Sequence, residues 1–181
     1  MWETGTLVIQ CAWYLLPMGF ANIAPVLVRD HFPFLAIPVD RVLGGRGIFG
    51  SHKTVRGIVF GVLFGATGFA WQQQVSVLPW ARELGFFAYR DMSLWFGFSA
   101  GLGALLGDLF RSAIKRRVRI RPGGRFVPFD QIDYVVGGIL LTLPFFQPSL
   151  RVVLGTLLVG FVLHATTSGL AYVLGMKRDR W

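Results

Sequence analysis

Three aspartates flank the most basic segment of this chain, and their types and spacing suit a metal-dependent site. Asp108 ends one apolar run, whereas Asp130 and Asp133 precede the next one. The segment between them includes the cation-rich run RSAIKRRVRIRPGGR, which begins at Arg111. Carboxylate oxygens among cations suit Mg²⁺, which takes one or two carboxylates together with phosphate oxygens and water. The pattern therefore predicts a magnesium site that binds a phosphorylated substrate.

Each aspartate also has an ordinary structural interpretation. Asp108 can pair with Arg111 or Ser112 of the same helix while the arginines reach lipid phosphates. Asp130 and Asp133 lie three residues apart at the start of a predicted helix, where capping alone contributes about 1 kcal/mol. Capping does not account for a third carboxylate on the same membrane face, and a carboxylate that ends an apolar run is costly to bury. We therefore favour metal binding.

Ser112 and Lys115 extend this pattern along one helical face. They follow Asp108 at spacings of four and three, so the three residues share a face if the helix continues beyond the membrane. A polar stripe then leads from the bilayer to water. The turn-forming segment at residues 121–125 is suited to fold the basic run back over a bound metal.

A second cationic group precedes another apolar run, in the sequence GSHKTVRG at residues 50–57. Lys53 and Arg56 are cations, Thr54 is a hydrogen-bond donor, and all three lie at a predicted helix N-terminus with free backbone amides. The spacing does not match that of a Walker phosphate-binding loop. The segment nevertheless suits an anion, and the alternative is a basic anchor before a membrane helix.

Polar residues inside the first and last apolar runs form a third group. In lipid such residues need hydrogen-bond partners, and contacts between helices satisfy most of them. A role in binding lipid or nucleotide is the alternative for Asn22 and His164. The group comprises Asn22, Pro25, His164, Thr166, Thr167, Ser168 and Tyr172.

The elements that position these residues follow from composition. Of the 181 residues, 54% are hydrophobic and 15% are charged, which is more apolar surface than a soluble domain of this size can bury. The chain is therefore predicted to be one all-α domain over residues 1–181, a polytopic membrane helix bundle with about five transmembrane helices, the fourth of them shorter than the about 20 residues of a full span. The predicted helices are Gly5–Val28, Val55–Trp71 or slightly beyond, Ser93–Phe110, Tyr134–Phe146 and Val152–Gly175, with a turn at residues 147–149 and no assignment for residues 72–91.

Glycine spacing predicts which helix faces pack closely. Small residues every fourth position let helix backbones approach in lipid, where van der Waals contact must drive association. The pattern comprises Gly57, Gly61 and Gly65 in the second predicted helix, and the pairs Gly97 with Gly101 and Gly103 with Gly107 in the third.

The distribution of basic residues predicts the orientation. Fifteen of the eighteen Lys and Arg residues lie before the second helix, after the third or in the C-terminal tail, whereas Arg82, Arg90 and Arg151 lie on the other side. Because basic loops stay in the cytosol, we expect the N-terminus outside and both long loops cytosolic. The net charge of +9 then reflects topology and attraction to anionic lipid or nucleotide, and nucleic acid is not an expected partner.

Together these segments resemble the CDP-archaeol synthase family, membrane CTP-dependent cytidylyltransferases related to the phosphatidate cytidylyltransferases. The resemblance covers nearly the whole chain, and its five-helix organisation agrees with the count above. It rests on Pro17, Ala21, Asn22 and Pro25, on KTxRG at Lys53 to Gly57, on the run from Gly107 to Asp133, and on AYxLGxK at Ala171 to Lys177.

The resemblance implies a reaction and a set of site residues. A lipid phosphate oxygen attacks the α-phosphorus of CTP, so that an unsaturated archaeal ether lipid phosphate becomes CDP-archaeol and pyrophosphate leaves. Magnesium and CTP are then held by Asp108, Asp130 and Asp133 at the cytoplasmic face of the cell membrane, with Lys115 also catalytic. Contacts to nucleotide or lipid phosphate are implied for Lys53, Thr54, Arg56, Ser112, Lys115 and Arg116.

Two residues depart from the family pattern. Arg111 stands where lysine is usual, which keeps the charge but changes the donor geometry. Ser168 stands where the family tends to carry asparagine, which bears on the lipid pocket and on His164.

Three other functions can be compared with the sequence. A phosphatidate cytidylyltransferase would use a diacyl substrate in the same reaction. A small transporter would place buried charges at mid-membrane rather than at one face. A CDP-alcohol phosphotransferase needs a longer four-aspartate pattern, which this sequence lacks.

Overall fold

The computed structural model describes residues 2–45, 47–50, 52–120, 124 and 126–173, with side chains for residues 5–169 of those ranges. Within them the chain forms seven α-helices and no β-strand, so the predicted all-α class is confirmed. Two 3₁₀ turns lie at Pro33–Leu35 and Tyr89–Asp91. The helices are α1 (Trp2–Leu27), α2 (Val39–Val42), α3 (Val55–Val75), α4 (Pro79–Glu83), α5 (Trp95–Arg117), α6 (Phe129–Thr142) and α7 (Leu150–Val173).

Most bounds of the long helices match the predicted ones to within about three residues, and the larger differences lie in α5 and α6. Helix α5 continues past Phe110 to Arg117, which is the continuation that the polar stripe requires. The predicted bounds of the fourth long helix, Tyr134–Phe146, were wrong at both ends, because α6 begins at Phe129 and ends at Thr142. Pro144 explains the early end, since a proline disfavours helical geometry in the residue before it and has no N–H for a helical bond.

Among the described residues, three helices are long and apolar enough to cross a membrane, namely Gly5–Leu27, Val55–Val75 and Leu150–Gly169. Helix α6 has 14 residues, and its length of about 21 Å at 1.5 Å per residue is shorter than a full span. Helix α5 is long enough, but its last three turns carry charged residues. Many large apolar side chains are exposed on the outer surface, including Ile23, Leu63, Leu154 and Leu158. The chain is therefore a membrane protein.

The helices run up and down, so that their ends meet at two opposite faces of the bundle. At one face, residues 76–94 cover the core with aromatic side chains, and Phe87 stacks on the buried Tyr89 with ring centroids 4.2 Å apart. Phe96 at the start of α5 contacts Phe145 just beyond α6 at the same face. The other face therefore receives the start of α3, the end of α5 and the start of α6.

The glycine faces pack as predicted. A Cβ atom at Gly65 of α3 would lie 2.7 Å from the Cα atom of Gly101 on α5. On the other side of α5, Cβ atoms at Gly103 and Gly107 would overlap the carbonyl oxygens of Gly137 and Asp133 on α6. Helix α5 thus lies in backbone contact with both neighbours, as small residues allow in lipid.

Candidate active site

The packing of α5 against α6 brings the predicted aspartates together. Asp108 lies one residue after Gly107, whose Cα faces the backbone of Asp133. Asp130 lies on the first turn of α6, one turn before Asp133. The side chains of the three aspartates are between 10% and 17% exposed, so they form a sheltered cluster at the helix ends.

Arg111 lies at the centre of this cluster. Its Nη2, Nη1 and Nε atoms donate to Asp108, Asp130 and Asp133 respectively. Three carboxylates on two helices are therefore held by the fork of one guanidinium, a geometry that a lysine ammonium does not offer. Local pairing of Asp108 with Arg111 does occur, and it is one part of this larger network.

Two lysines complete the cluster from outside. Lys53, which precedes α3, donates to the Asp108 carboxylate. Lys115, one turn beyond Arg111, lies 3.0 Å and 3.2 Å from the two Asp130 oxygens and also donates to the Gly124 carbonyl. The three carboxylates thus face three cations in direct contact, and these six side chains are together electrically neutral.

The two carboxyls at the start of α6 differ in acidity. Burial raises the pKa of Asp133 to about 6. The positive charge of Arg111 offsets this rise only in part, and the negative charge of nearby Asp108 adds to it. Burial alone would also raise the pKa of Asp130, but the hydrogen bond from Lys115 and the charge of Arg111 place it below its ordinary value. Near neutral pH both groups are predominantly carboxylates.

The remaining predicted phosphate contacts lie around the cluster rather than in it. Thr54 caps α3, where its side-chain oxygen accepts the Gly57 N–H at 3.2 Å. Arg56 donates to the His31 carbonyl at 2.6 Å. Ser112 is buried and donates to the Asp108 carbonyl one turn earlier at 2.8 Å.

Arg116 joins the α5 end to the loop before α3. Its guanidinium lies beside Gly50, close enough that an added Cβ would be 3.3 Å from Nη2, and it donates to the Ile120 carbonyl at 3.1 Å. Gly50 has a φ of +93°, a conformation that favours glycine. A small cavity of about 70 Å³ opens next to this loop, and its lining includes Lys53, Thr54 and Asp108.

Asp40 is a site residue that the sequence analysis missed. It is buried, and its two carboxylate oxygens accept the N–H groups of Phe49 at 2.9 Å and Gly50 at 2.6 Å. The preceding residue, Val39, donates its N–H to the Lys53 carbonyl at 2.8 Å. Asp40 therefore shapes the loop that presents Lys53, and the sequence signal for it was weak, because it is one of two acids in this basic loop, with Asp30.

Two apolar grooves lie near the cluster. One runs along α5 and α6, has a volume of about 490 Å³, and includes Arg111 and Asp133 in its otherwise apolar lining. The other, of about 220 Å³, lies between α1 and α7 and includes Asn22, Tyr134 and His164 in its lining. Both grooves have the apolar walls that a lipid chain needs.

Some predicted features lie outside the described residues. They are Arg46, the turn residues Arg121, Pro122, Gly123 and Arg125, the side chain of Tyr172, the closing AYxLGxK pattern and the basic tail with Lys177, Arg178 and Arg180.

The donor chemistry of the cluster fits a divalent ion, but its present spacing does not. In the described part of the chain, no group of three or more Asp, Glu, His or Cys side chains has the geometry to hold a metal. The reason is that Arg111 occupies the space between the carboxylates and bonds to each of them.

Comparisons with known proteins match nearly the whole chain to one protein family. The family model described as "CarS-like: CDP-archaeol synthase" matches residues 5–181. The CDP-archaeol synthase of Pyrococcus furiosus is 34% identical over 176 residues, covering 96% of this chain and 98% of that protein. The enzyme of the same name from Thermofilum pendens is 33% identical over 188 residues, covering 99% and 83%.

A solved structure has the same fold. It is described as "Structural insight into an intramembrane enzyme for archaeal membrane lipids biosynthesis", and it matches with a TM-score of 0.67. The match covers 86% of this chain and 90% of that one at 24% sequence identity.

Proposed function

This chain belongs to the CDP-archaeol synthase family of CTP-dependent cytidylyltransferases, and on this premise we propose how its helix ends make CDP-archaeol. A phosphate oxygen of the archaeal ether lipid phosphate forms a bond to the α-phosphorus of CTP. The bond from that phosphorus to the β-phosphate oxygen breaks, and pyrophosphate leaves with the electron pair. No protein nucleophile is required, because the lipid phosphate already carries a charged oxygen.

The task of the protein is to bring two anions into line and to offset their repulsion. The observation that carries the proposal is the cluster of three carboxylates and three cations where α3 and α6 begin and α5 ends. A lipid phosphate lies at the depth of the helix ends, beside soluble CTP. A transporter would favour charged side chains at mid-membrane, whereas these six charged side chains lie toward the helix ends.

Asp108, Asp130 and Asp133 are the residues that would hold Mg²⁺. The ion would neutralise phosphate oxygens and stabilise the leaving pyrophosphate. Their carboxylate oxygens are the hard ligands that Mg²⁺ takes beside phosphate and water. The chain offers these oxygens from two helices in backbone contact, which fixes their approach.

The cations are arranged to bind the remaining phosphate charge. Lys53 and Thr54 line the cavity at the N-terminus of α3, where the helix dipole also favours an anion. Lys115 and Arg116 approach from the end of α5. Arg56 and Ser112 point to backbone carbonyls, so a phosphate contact by either requires a change of partner.

The apolar groove along α5 and α6 is suited to the lipid. It passes Arg111 and Asp133, so a lipid chain lying in it would have its phosphate within reach of the cluster. The groove between α1 and α7, with Asn22 and His164, offers a second apolar surface. We place five helices across the membrane with the N-terminus outside, because most basic residues then face the cytoplasm together with the cluster.

Assays with two lipids test the substrate. Purified protein in detergent, given labelled CTP and Mg²⁺, should convert the unsaturated archaeal ether lipid phosphate to a CDP-lipid and release pyrophosphate. Phosphatidate, its diacyl counterpart, should react more slowly, and a sample without lipid gives the background. Faster conversion of phosphatidate would instead identify a phosphatidate cytidylyltransferase.

Replacing Lys53 with alanine should weaken CTP binding by about tenfold or more and change lipid binding less. A hydrogen bond to a charged group contributes about 1.5 to 3 kcal/mol, and about 1.4 kcal/mol corresponds to a factor of ten. Calorimetric titration with CTP and the lipid dependence of the rate measure the two effects. Arg41→Ala is the control, because it removes a cation from an exposed site in the same loop. Unchanged CTP affinity in Lys53→Ala would contradict the assignment.

A further inference from the structure

Arg111 has a contact pattern that the proposed reaction does not use. Each of its three guanidinium nitrogens donates to a different carboxylate, from Asp108, Asp130 and Asp133. The side chain is only 17% exposed, so the network is largely shielded from solvent. Three of the five guanidinium N–H groups, one on each nitrogen, are therefore directed at carboxylates.

The same position is the one a metal would need. Mg²⁺ requires ligand oxygens at about 2.0 to 2.1 Å in a near-octahedral shell, so its carboxylate ligands must approach one another closely. A guanidinium between the carboxylates keeps them apart and occupies the lone pairs that would face the ion. Arg111 and a metal bound by these three aspartates therefore exclude each other.

The charges of the cluster lead to the same conclusion. Asp108, Asp130 and Asp133 are balanced by Arg111, Lys53 and Lys115, so a bare divalent ion meets no net negative charge. Binding becomes favourable only when one cation leaves or when the ion arrives with anionic phosphates.

We propose that Arg111 is a built-in counterion that holds the three carboxylates together in the metal-free protein, and that a metal must displace its guanidinium to bind. This rests on the proposed function, in which those carboxylates are the metal ligands. Arg111 is a positioning residue in this scheme, because it acts through the carboxylates. Only molecules in which the guanidinium is withdrawn can bind the metal. The apparent metal affinity of the free protein is therefore lower than the intrinsic affinity, in proportion to the fraction of such molecules.

Metal binding without nucleotide tests the exchange directly. Purified protein in detergent is titrated with Mn²⁺, and free Mn²⁺ is followed by electron paramagnetic resonance. If the withdrawn state is at most about 10% populated, Arg111→Gln should bind Mn²⁺ at least about tenfold more tightly than the wild type. The control is Arg117→Gln, which removes an exposed cation from the end of the same helix and should bind as the wild type does.

The Arg111→Lys variant distinguishes displacement of the guanidinium by the metal from simple repulsion between the metal and a positive charge. The lysine keeps the positive charge, but a single ammonium cannot bridge three carboxylates. The exchange therefore predicts tighter Mn²⁺ binding in Arg111→Lys than in the wild type. Equal affinities for these two proteins would overturn the proposal, because charge alone would then explain the glutamine variant.

Thermal unfolding gives a second measurement. Without metal, Arg111→Gln should unfold at a lower temperature than the wild type, and Mn²⁺ should raise its unfolding temperature more than that of the wild type. If the glutamine variant does not fold, the lysine variant carries the comparison. Absence of Mn²⁺ binding in every protein would reject the metal site and the exchange, whereas equal binding in every protein would reject the exchange alone.

Discussion

Replacing Asp133 with asparagine is expected to abolish CDP-archaeol synthesis while the protein still folds in the membrane. The amide keeps the size of the side chain but removes the charge that a divalent ion needs. Replacing a residue that hydrogen-bonds to a metal ligand typically lowers metal affinity or activity by about 10 to 100-fold. Loss of a direct ligand should therefore lower turnover by more than about 100-fold. Pyrophosphate release in the presence of saturating CTP and lipid measures the effect.

Asp130→Asn should behave in the same way, and Asp91→Asn is the matched control. Asp91 is an exposed aspartate at the opposite face of the bundle, so its replacement should leave turnover unchanged. Size-exclusion profiles and unfolding temperatures of all three variants verify folding. Turnover near the wild-type rate in both Asp130→Asn and Asp133→Asn would reject the metal role of these carboxylates.

The sequence was sufficient to predict the cluster but not its centre. Asp108, Asp130 and Asp133 could be found because acids are rare in this chain and these three adjoin apolar runs. Arg111 could be paired only with Asp108, three residues away, because helical periodicity predicts only local contacts. Its bonds to Asp130 and Asp133 join residues 19 and 22 positions apart, and they depend on how two helices pack.

Thr54 illustrates a second limit of sequence reasoning. Its position before a basic helix start suits phosphate binding and helix capping equally. In the structure the side-chain oxygen accepts the Gly57 N–H, which is the capping role. The hydroxyl hydrogen is still available to a phosphate, so capping and the predicted contact are compatible.

The glycine pattern predicted the packing faces but not their partners. Glycines at a spacing of four show that one face of a helix lacks large side chains, but they do not show which neighbouring helix packs on that face. The coordinates pair Gly65 with Gly101, and Gly103 and Gly107 with the α6 backbone. The second pairing matters for chemistry, because it sets the separation of the helices that carry the carboxylates.

A methyl group added at Gly107 is therefore expected to reduce turnover by about 100-fold. In Gly107→Ala the new Cβ would overlap the carbonyl oxygen of Asp133, so α5 and α6 must move apart. Overpacking of this kind costs about 1 to 3 kcal/mol, which the folded bundle can survive. Asp108 is the next residue on α5, and a misplacement of about 1 Å between reacting groups can cost about 100-fold in rate.

Gly169→Ala is the matched control for this prediction. Gly169 also lies in a long helix, but a Cβ atom there would meet no atom within 4 Å, so turnover should be unchanged. The unfolding temperature should stay the same or rise slightly, because alanine favours a helix more than glycine does. The informative comparison is the rate of Gly107→Ala measured at a temperature where the variant is fully folded. A near-normal rate there would mean that the carboxylates tolerate a wider separation of α5 and α6, and the backbone contact would then serve stability rather than the geometry of the site.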